Sequence, residues 1–176
     1  LLNLVQLSQF DTIYHEHYSY LSLTAVQTIF DANGLSVFDV EELSTHGGSL
    51  RVYAQRSELG KHKTSAAVIS LKEKENKLGM NDINFYHGFQ SKIEQVKIDF
   101  LSFLLEAKRY GKQVVGYGAA AKGNTMMNFG GIRQDLISYV VDNNPAKKGK
   151  YMPGSRVPIV DIDHLLLTKP DYVVIF

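Results

Sequence analysis

The spacing of apolar residues predicts different elements in the two halves of the chain. In the first half, apolar residues recur at helical spacing between Thr24 and Gly34, with Thr24 as the expected N-cap and Gly34 just past the helix. Residues 35–40 predict a strand, residues 45–49 a turn, and the alternating residues 50–54 an antiparallel partner strand. A helix and two strands cannot bury their apolar faces alone, so we expect this part to be the edge of a larger sheet.

Two helices are predicted in the middle of the chain. The first spans residues 65–78 and ends at Gly79, and its charged run at residues 72–75 is interpreted as a solvated surface. The second helix is predicted from Asp82 to Gly111. It carries a stripe of apolar residues that we expect to lie in the core: Phe85, Phe89, Ile93, Val96, Phe100 and Phe103.

In the last third of the chain, short apolar runs alternate with helical segments. Strands are predicted at residues 113–117, 137–141 and 171–176, and helices at residues 119–128 and 161–167. Repeated strand–helix units predict a parallel sheet with right-handed crossovers. The predicted fold class is therefore α/β: a Rossmann-like parallel sheet with flanking helices, preceded by a helix and an antiparallel strand pair.

Composition and charge narrow the classes of function. The 176 residues are 44% hydrophobic, and 19 Lys and Arg face 18 Asp and Glu, which is typical of a globular domain and argues against a dedicated nucleic-acid binder. The chain has no cysteine, which excludes disulfides and thiolate zinc sites and fits a cytoplasmic protein. No apolar run is long enough to cross a bilayer. Since the chain starts without Met and stops inside a predicted strand, we expect it to be part of a longer protein.

A glycine-rich turn follows the predicted strand at residues 113–117 and opens the next helix. Gly118 allows the main chain to approach a phosphate, and the helix N-terminus offers N–H groups and partial positive charge. Lys122 adds a full charge, and Asp142 follows the next strand, where an acid can accept ribose hydroxyls. The pattern predicts phosphate or nucleotide binding. The spacing also fits a nicotinamide dinucleotide, and a bare structural turn is the alternative.

A second candidate site is the polar segment of residues 10–18. In an extended segment, His15 and His17 face one side while Tyr14 and Glu16 face the other. An imidazole beside a carboxylate is the usual apparatus for taking a proton near neutral pH. The two histidines could also bind a metal, but a third ligand is not evident. A polar surface loop rich in histidine is the remaining interpretation.

A third candidate site is the turn of residues 45–51. Its two adjacent glycines allow a ligand to approach the main chain, and several side chains around them can form hydrogen bonds: Thr45, His46, Ser49 and Arg51. An ordinary hairpin turn explains the same residues equally well.

Taken together, these segments resemble the S-adenosylmethionine-dependent sugar C-methyltransferases. The likeness is carried by four groups of residues in order: 10–22, 45–51, 116–125, and 141–154 with its Asp-Asn-Asn-Pro, Lys-Gly-Lys-Tyr and Pro-Gly motifs. The family methylates nucleotide-linked 4-keto-6-deoxysugars. A zinc-binding domain and a methyltransferase domain precede a C-terminal Rossmann-like domain, and the nucleotide sugar lies between the last two.

This resemblance implies a division of the chain into three parts. Residues 1–56 would end the methyltransferase domain, residues 57–110 would form a helical connection, and residues 111–176 would belong to the nucleotide-sugar-binding domain. The binding loop for S-adenosylmethionine and the zinc ligands of the family would lie upstream. The isolated chain is therefore expected to be inactive as an enzyme.

The resemblance also implies a reaction and a set of site residues. A base removes a proton next to the ketone, and the enolate then attacks the methyl group of S-adenosylmethionine. The base is placed at His17, with Glu16 and Tyr14 as its neighbours. Seven further residues are expected to bind the sugar, the diphosphate or the nucleotide: His46, Gly48, Arg51, Gly118, Lys122, Asn124 and Asp142.

Two other functions remain open from the sequence. One is a nicotinamide-dependent oxidoreductase domain built on Gly116, Gly118, Ala121 and Asp142, which leaves the segments at residues 10–18 and 45–51 unexplained. The other is a non-catalytic module that binds a nucleotide sugar. Neither base nor sugar is specified by the sequence, and no nucleic-acid or membrane partner is expected.

Overall fold

The computed structural model describes all 176 residues, and the chain divides into two compact units. The first unit comprises Leu1–Phe10 and Tyr18–Gln90, and the second comprises Asp11–His17 and Ser91–Phe176. The short segment Asp11–His17 is therefore part of the same unit as the glycine-rich turn, although it lies far from that turn in sequence. The domain boundaries expected near residues 56 and 110 stay a prediction.

The first unit packs three helices with one antiparallel strand pair. Its elements are α1 (Leu2–Gln6), α2 (Leu23–Ala32), β1 (Leu35–Leu43), β2 (Ser49–Arg56) and α3 (Ala66–Lys77), with 3-10 turns at Thr45–Gly47 and Ile83–Phe85. Strands β1 and β2 pair with a bulge between Val37 and Asp39. The core joins α2, β1 and α3 through buried side chains: Leu23, Val37, Val40, Val68 and Leu71.

The start of α2 differs from the sequence prediction. Ser22, rather than Thr24, is the N-cap, and its hydroxyl accepts a hydrogen bond from the Ala25 N–H at 3.0 Å. Glu75 of α3 completes the cap: it accepts from the Leu23 N–H at 2.7 Å, the Thr24 N–H at 2.8 Å and the Thr24 hydroxyl at 2.6 Å. Glu75 is 1% exposed, so the interpretation of residues 72–75 as a solvated surface is wrong at this position.

The second unit contains a four-stranded parallel sheet with helices on both sides. Its elements are most of α4 (Phe89–Arg109), then β3 (Val114–Tyr117), α5 (Ala121–Gly130), β4 (Val140–Val141), β5 (Ile159–Val160), α6 (Ile162–Thr168) and β6 (Tyr172–Ile175). The strand order is β5-β4-β3-β6, and every pair is parallel. The predicted α/β fold class is confirmed, and the two-residue strand β5 is the element that the apolar pattern did not show.

The two faces of this sheet have separate cores. On one face, Leu104 of α4 and Met127 of α5 pack with Val114 and Val140 of the strands. On the other face, Leu165 of α6 packs against a cluster that includes Val115. Side chains alternate between the faces of a strand, so neighbouring residues of β3 enter different cores. No helix in the structure has the length and apolar character needed to cross a membrane.

Helix α4 is shorter than predicted, and its apolar stripe is only partly buried. It begins at Phe89, directly after Gly88 with φ of +82°, whereas Phe85 lies in the separate 3-10 turn Ile83–Phe85. Ile93 is buried, whereas Val96 and Phe103 are each 37% exposed. The expectation that the whole stripe lies in the core is therefore wrong, because part of the stripe remains exposed to solvent.

Candidate functional site

The glycine-rich turn connects β3 to α5, as the sequence predicts. Gly118 has φ of +96°, a conformation that favours glycine. Helix α5 begins at Ala121, and no side chain caps its N-terminus because the N-cap residue is Ala120. The first N–H groups of α5 are therefore available to an anion. Lys122 lies in this first turn and forms no ion pair.

Two other glycines of this segment have a packing role. A Cβ atom on Gly123 would lie 2.5 Å from Cβ of Phe176, and a Cβ on Gly116 would lie 2.6 Å from the ring of the same residue. Real Cβ atoms do not approach other carbons so closely. The glycines at 116 and 123 thus make room for Phe176, so their presence is explained by packing.

The carboxylate of Asp142 holds the turn in place. Its Oδ2 accepts hydrogen bonds from the Ala119 N–H at 2.8 Å and from Nζ of Lys147 at 3.0 Å, and its Oδ1 accepts from the Asn144 N–H at 2.8 Å. Lys147 also donates to the Ala119 carbonyl at 2.8 Å. Asp142 and Lys147 therefore bind both main-chain polar groups of Ala119.

These contacts set the protonation of Asp142. Desolvation raises its pKa, but the hydrogen bonds from Asn144, Lys147 and Ala119 outweigh this effect, so the pKa lies below the usual value for aspartate. The carboxylate is ionised at neutral pH and its side chain is only 12% exposed. Three donors of the chain itself already occupy the carboxylate. Its contact with ribose hydroxyls stays a prediction.

A cavity of about 330 Å³ lies beside the turn, entirely within the second unit. Its lining includes Tyr14 and His15 of the segment at residues 10–18, and Asn124 in the first turn of α5. Lys147, Lys150 and Tyr151, which follow β4, complete the polar part of the lining. Tyr14 and Asn124, predicted separately as site residues, are thus brought together. Its volume lies at the lower end of the range that is typical of small-molecule sites.

His17 has a defined orientation. Its Nδ1 lies 2.8 Å from the carbonyl oxygen of Thr12, and its ring packs on Tyr14 with centroids 4.2 Å apart. Because a carbonyl oxygen can only accept, we assign the proton to Nδ1, which leaves the lone pair of the neutral ring on Nε2. The cavity lining includes Tyr14 and His15 but not His17. The role of His17 as the base stays a prediction.

Glu16 lies next to a different imidazole from the one expected. Its Oε1 is 3.8 Å from Nε2 of His15, and both side chains are largely exposed. No hydrogen bond joins Glu16 to His17 in this structure. His15 is not among the catalytic residues that the resemblance implies, and it lies on the cavity wall. The functional role of Glu16 stays a prediction.

The remaining predicted residues belong to the first unit. His46 has φ of +54° in the 3-10 turn, and the guanidinium of Arg51 donates to Glu41 at 2.9 Å. Gly48 has φ of +114°, and a Cβ atom there would clash with the side chain of Asn3. These contacts explain the local fold of the turn. Binding of the sugar or diphosphate by His46, Gly48 and Arg51 stays a prediction.

Several residues that line the cavity have no role predicted from the sequence, and three of them follow β4. Lys147, Lys150 and Tyr151 lie in the basic stretch that follows β4. This stretch contributed to the family resemblance, but its lysines look alike in sequence. The neighbouring Lys148 forms an ion pair with Asp161 instead. Only the structure separates the lysines at the cavity from the one that is paired elsewhere.

Comparisons with known proteins agree with these observations. Residues 44–176 match a family model described as the C-methyltransferase C-terminal domain. The chain is also 35% identical over 172 residues to the C-methyltransferase NovU of Streptomyces niveus. The aligned region covers 98% of this chain and 41% of NovU, so the chain spans less than half the length of this curated relative.

Proposed function

Because this chain belongs to the C-methyltransferase C-terminal domain family, we propose that it acts in a longer enzyme that C-methylates a nucleotide-linked 4-keto-deoxysugar. The observation that carries the proposal is the cavity of the second unit, which Tyr14 and the uncapped start of α5 both line. A nucleotide sugar combines an anionic diphosphate with a ring bearing hydroxyl groups. The cavity offers main-chain N–H groups and lysines for the first, and a tyrosine for the second.

In this proposal, His17 removes the proton next to the sugar ketone. The hydrogen bond from Nδ1 to the Thr12 carbonyl fixes the ring and leaves Nε2 as the proton acceptor. After the transfer the ring is positively charged, and the same carbonyl continues to accept from Nδ1–H and stabilises that charge. Tyr14 packs on the ring and binds the sugar, and Glu16 contributes negative charge from its position beside His15.

The methyl donor of the proposed reaction is S-adenosylmethionine, which supplies an electrophilic methyl group. The glycine-rich turn of this chain, around Gly118, leads into the cavity assigned to the nucleotide sugar. We therefore assign no residue of this chain to the methyl donor, and we place its site, like the zinc ligands of the family, in the part of the enzyme that precedes Leu1. By itself, the chain is expected to bind the sugar nucleotide without methylating it.

The contacts of Asp142 favour this proposal over a nicotinamide-dependent oxidoreductase. A dinucleotide site of that kind uses an acid after the second strand to bind ribose hydroxyls. Here the carboxylate already accepts from Ala119, Asn144 and Lys147. Titration of the purified chain with NAD and with nucleoside diphosphate sugars separates the two functions. Preferential binding of NAD would contradict the proposal.

The replacement His17→Asn in the full-length enzyme tests the proposed base. We expect methylation to fall by roughly 10²–10⁴-fold, the usual contribution of a general base, while affinity for the nucleotide sugar changes little. His87→Asn is the matched control, because His87 is exposed and its side chain forms no hydrogen bond, ion pair or ring contact. Comparable turnover of the His17 and His87 variants would remove His17 from the mechanism.

A further inference from the structure

The segment of residues 147–150, which follows β4, contains three lysines. Their surroundings in the structure differ. Lys147 donates to the Ala119 carbonyl and to Asp142, and it lines the cavity of the second unit. Lys148 forms an ion pair with Asp161 and does not line the cavity. Lys150 lines the cavity, and its ammonium group has neither a carboxylate partner nor a hydrogen bond.

The charge of the cavity wall is one-sided. Two lysines line it, and no aspartate or glutamate does. Asp142 pairs with Lys147, and no carboxylate pairs with Lys150, so the charge of Lys150 is uncompensated. The N–H groups at the start of α5 add partial positive charge to the same wall, next to Ala120 and Ala121. Such a wall favours a ligand with more than one negative charge.

The two cavity lysines have complementary properties. A lysine ammonium has three donors, and two donors of Lys147 are used within the chain, so one remains for a ligand at a fixed position. All three donors of Lys150 are available, on a side chain that is exposed and adaptable. One fixed and one adaptable cation suit two linked phosphate groups better than they suit a single phosphate group.

We propose that Lys147 and Lys150 bind the diphosphate of the nucleotide ligand, with Lys150 supplying the uncompensated charge. This inference rests on the proposed function and names recognition residues that the sequence analysis did not identify. The apolar wall around the lysines, which includes Met152 and Ile159, leaves room for a less polar part of the same ligand.

The test is isothermal titration of the 176-residue chain with uridine, thymidine, guanosine and cytidine diphosphates. The base that binds best is then used with Lys150→Gln and with Lys148→Gln as the matched control. We expect Lys150→Gln to weaken diphosphate binding by about tenfold, in line with loss of one charge-assisted hydrogen bond, and Lys148→Gln to leave it unchanged. Inorganic pyrophosphate, used as a competitor, should lose affinity for the Lys150 variant by a similar factor.

Each alternative result has a defined meaning. Equal affinities of the Lys150→Gln and Lys148→Gln variants would remove Lys150 from the site and leave the proposed function intact. A loss for the nucleotide without a loss for pyrophosphate would place Lys150 on the base and overturn the diphosphate assignment. If the unaltered chain bound none of the four diphosphates, the proposed function itself would be contradicted. Equal melting temperatures of the two variants establish that the fold is unchanged.

Discussion

The carboxylate of Asp142 connects the end of β4 with the turn that begins the candidate site, and its replacement by asparagine is the sharpest test of the structure. Asp142→Asn keeps the size of the side chain but turns one acceptor oxygen into a donor amide. If the amide nitrogen takes the place of Oδ2, it faces the N–H of Ala119 and the ammonium of Lys147. If it takes the place of Oδ1, it faces the N–H of Asn144. Either orientation opposes donor to donor.

The expected cost follows from these contacts. At least one main-chain N–H loses its acceptor in a position where the side chain of Asp142 is only 12% exposed, and leaving such a group unsatisfied costs about 1–3 kcal/mol. The remaining hydrogen bonds lose the assistance of a full negative charge, which adds about 1 kcal/mol. We therefore expect Asp142→Asn to lower the free energy of unfolding of the second unit by about 2–4 kcal/mol.

Urea and thermal unfolding at pH 7, followed by circular dichroism, measure this loss. Asp135→Asn is the matched control, because the side chain of Asp135 forms only an exposed ion pair with Lys108, and such pairs contribute about 0–1 kcal/mol. The Asp142 variant should also bind nucleoside diphosphates more weakly, since the turn around Ala119 is no longer held. Equal stabilities of the Asp142→Asn and Asp135→Asn proteins would refute the conclusion that this carboxylate holds the turn.

The same contacts predict a dependence on pH. The pKa of Asp142 is lower in the folded chain, where desolvation opposes but hydrogen bonds from Asn144, Lys147 and Ala119 dominate. Its ionised form therefore stabilises the fold above the ordinary pKa of aspartate, and this contribution is lost as the pH falls through the lowered pKa. The difference in stability between the unaltered chain and Asp142→Asn should be constant near pH 7 and should shrink below about pH 4. A difference that did not change with pH would contradict the assigned ionisation.

Two further predictions concern packing in the two units. Glu75→Gln should destabilise the first unit by about 2–4 kcal/mol, because it places an amide opposite the N–H donors of α2, whereas the exposed Glu73→Gln should have little effect on urea unfolding. Gly123→Ala should lower the melting temperature, at a cost of about 1–3 kcal/mol from overpacking against Phe176, and the same change should cost less when it is made in a Phe176→Gly background. An increase in stability on Gly123→Ala, as helix propensity alone predicts, would contradict the close contact.

Much of the second unit could be predicted from local sequence. The strand at residues 113–117, the turn at Gly118 and the following helix were found within about two residues of their observed positions, because an apolar run, a glycine with positive φ and helical periodicity are local signals. The strand at residues 137–141 was predicted longer than the observed β4. Its length depends on pairing with β5, and that strand has only two residues.

The candidate site was predicted only in part. The sequence pointed to Tyr14 and Asn124 separately, and the structure shows both on one cavity wall. The sequence offered no reason to choose Lys150 over Lys148, since the two residues have the same chemistry and lie two positions apart. Their difference is that Asp161 pairs with one of them, which is a contact made by the fold.

The sequence by itself determined the α/β class, the glycine turn and the residue types that proton transfer and phosphate binding need, because these depend on periodicity and on side-chain chemistry. Only the tertiary structure decided that Glu75 is buried, that Asp142 holds Ala119, and that the segment Asp11–His17 belongs to the same unit as the turn. The reason is physical: a charged group can be buried only where it has hydrogen-bond or ion-pair partners, and otherwise it stays exposed to solvent. Those partners lie far away in the chain, and local sequence does not specify them.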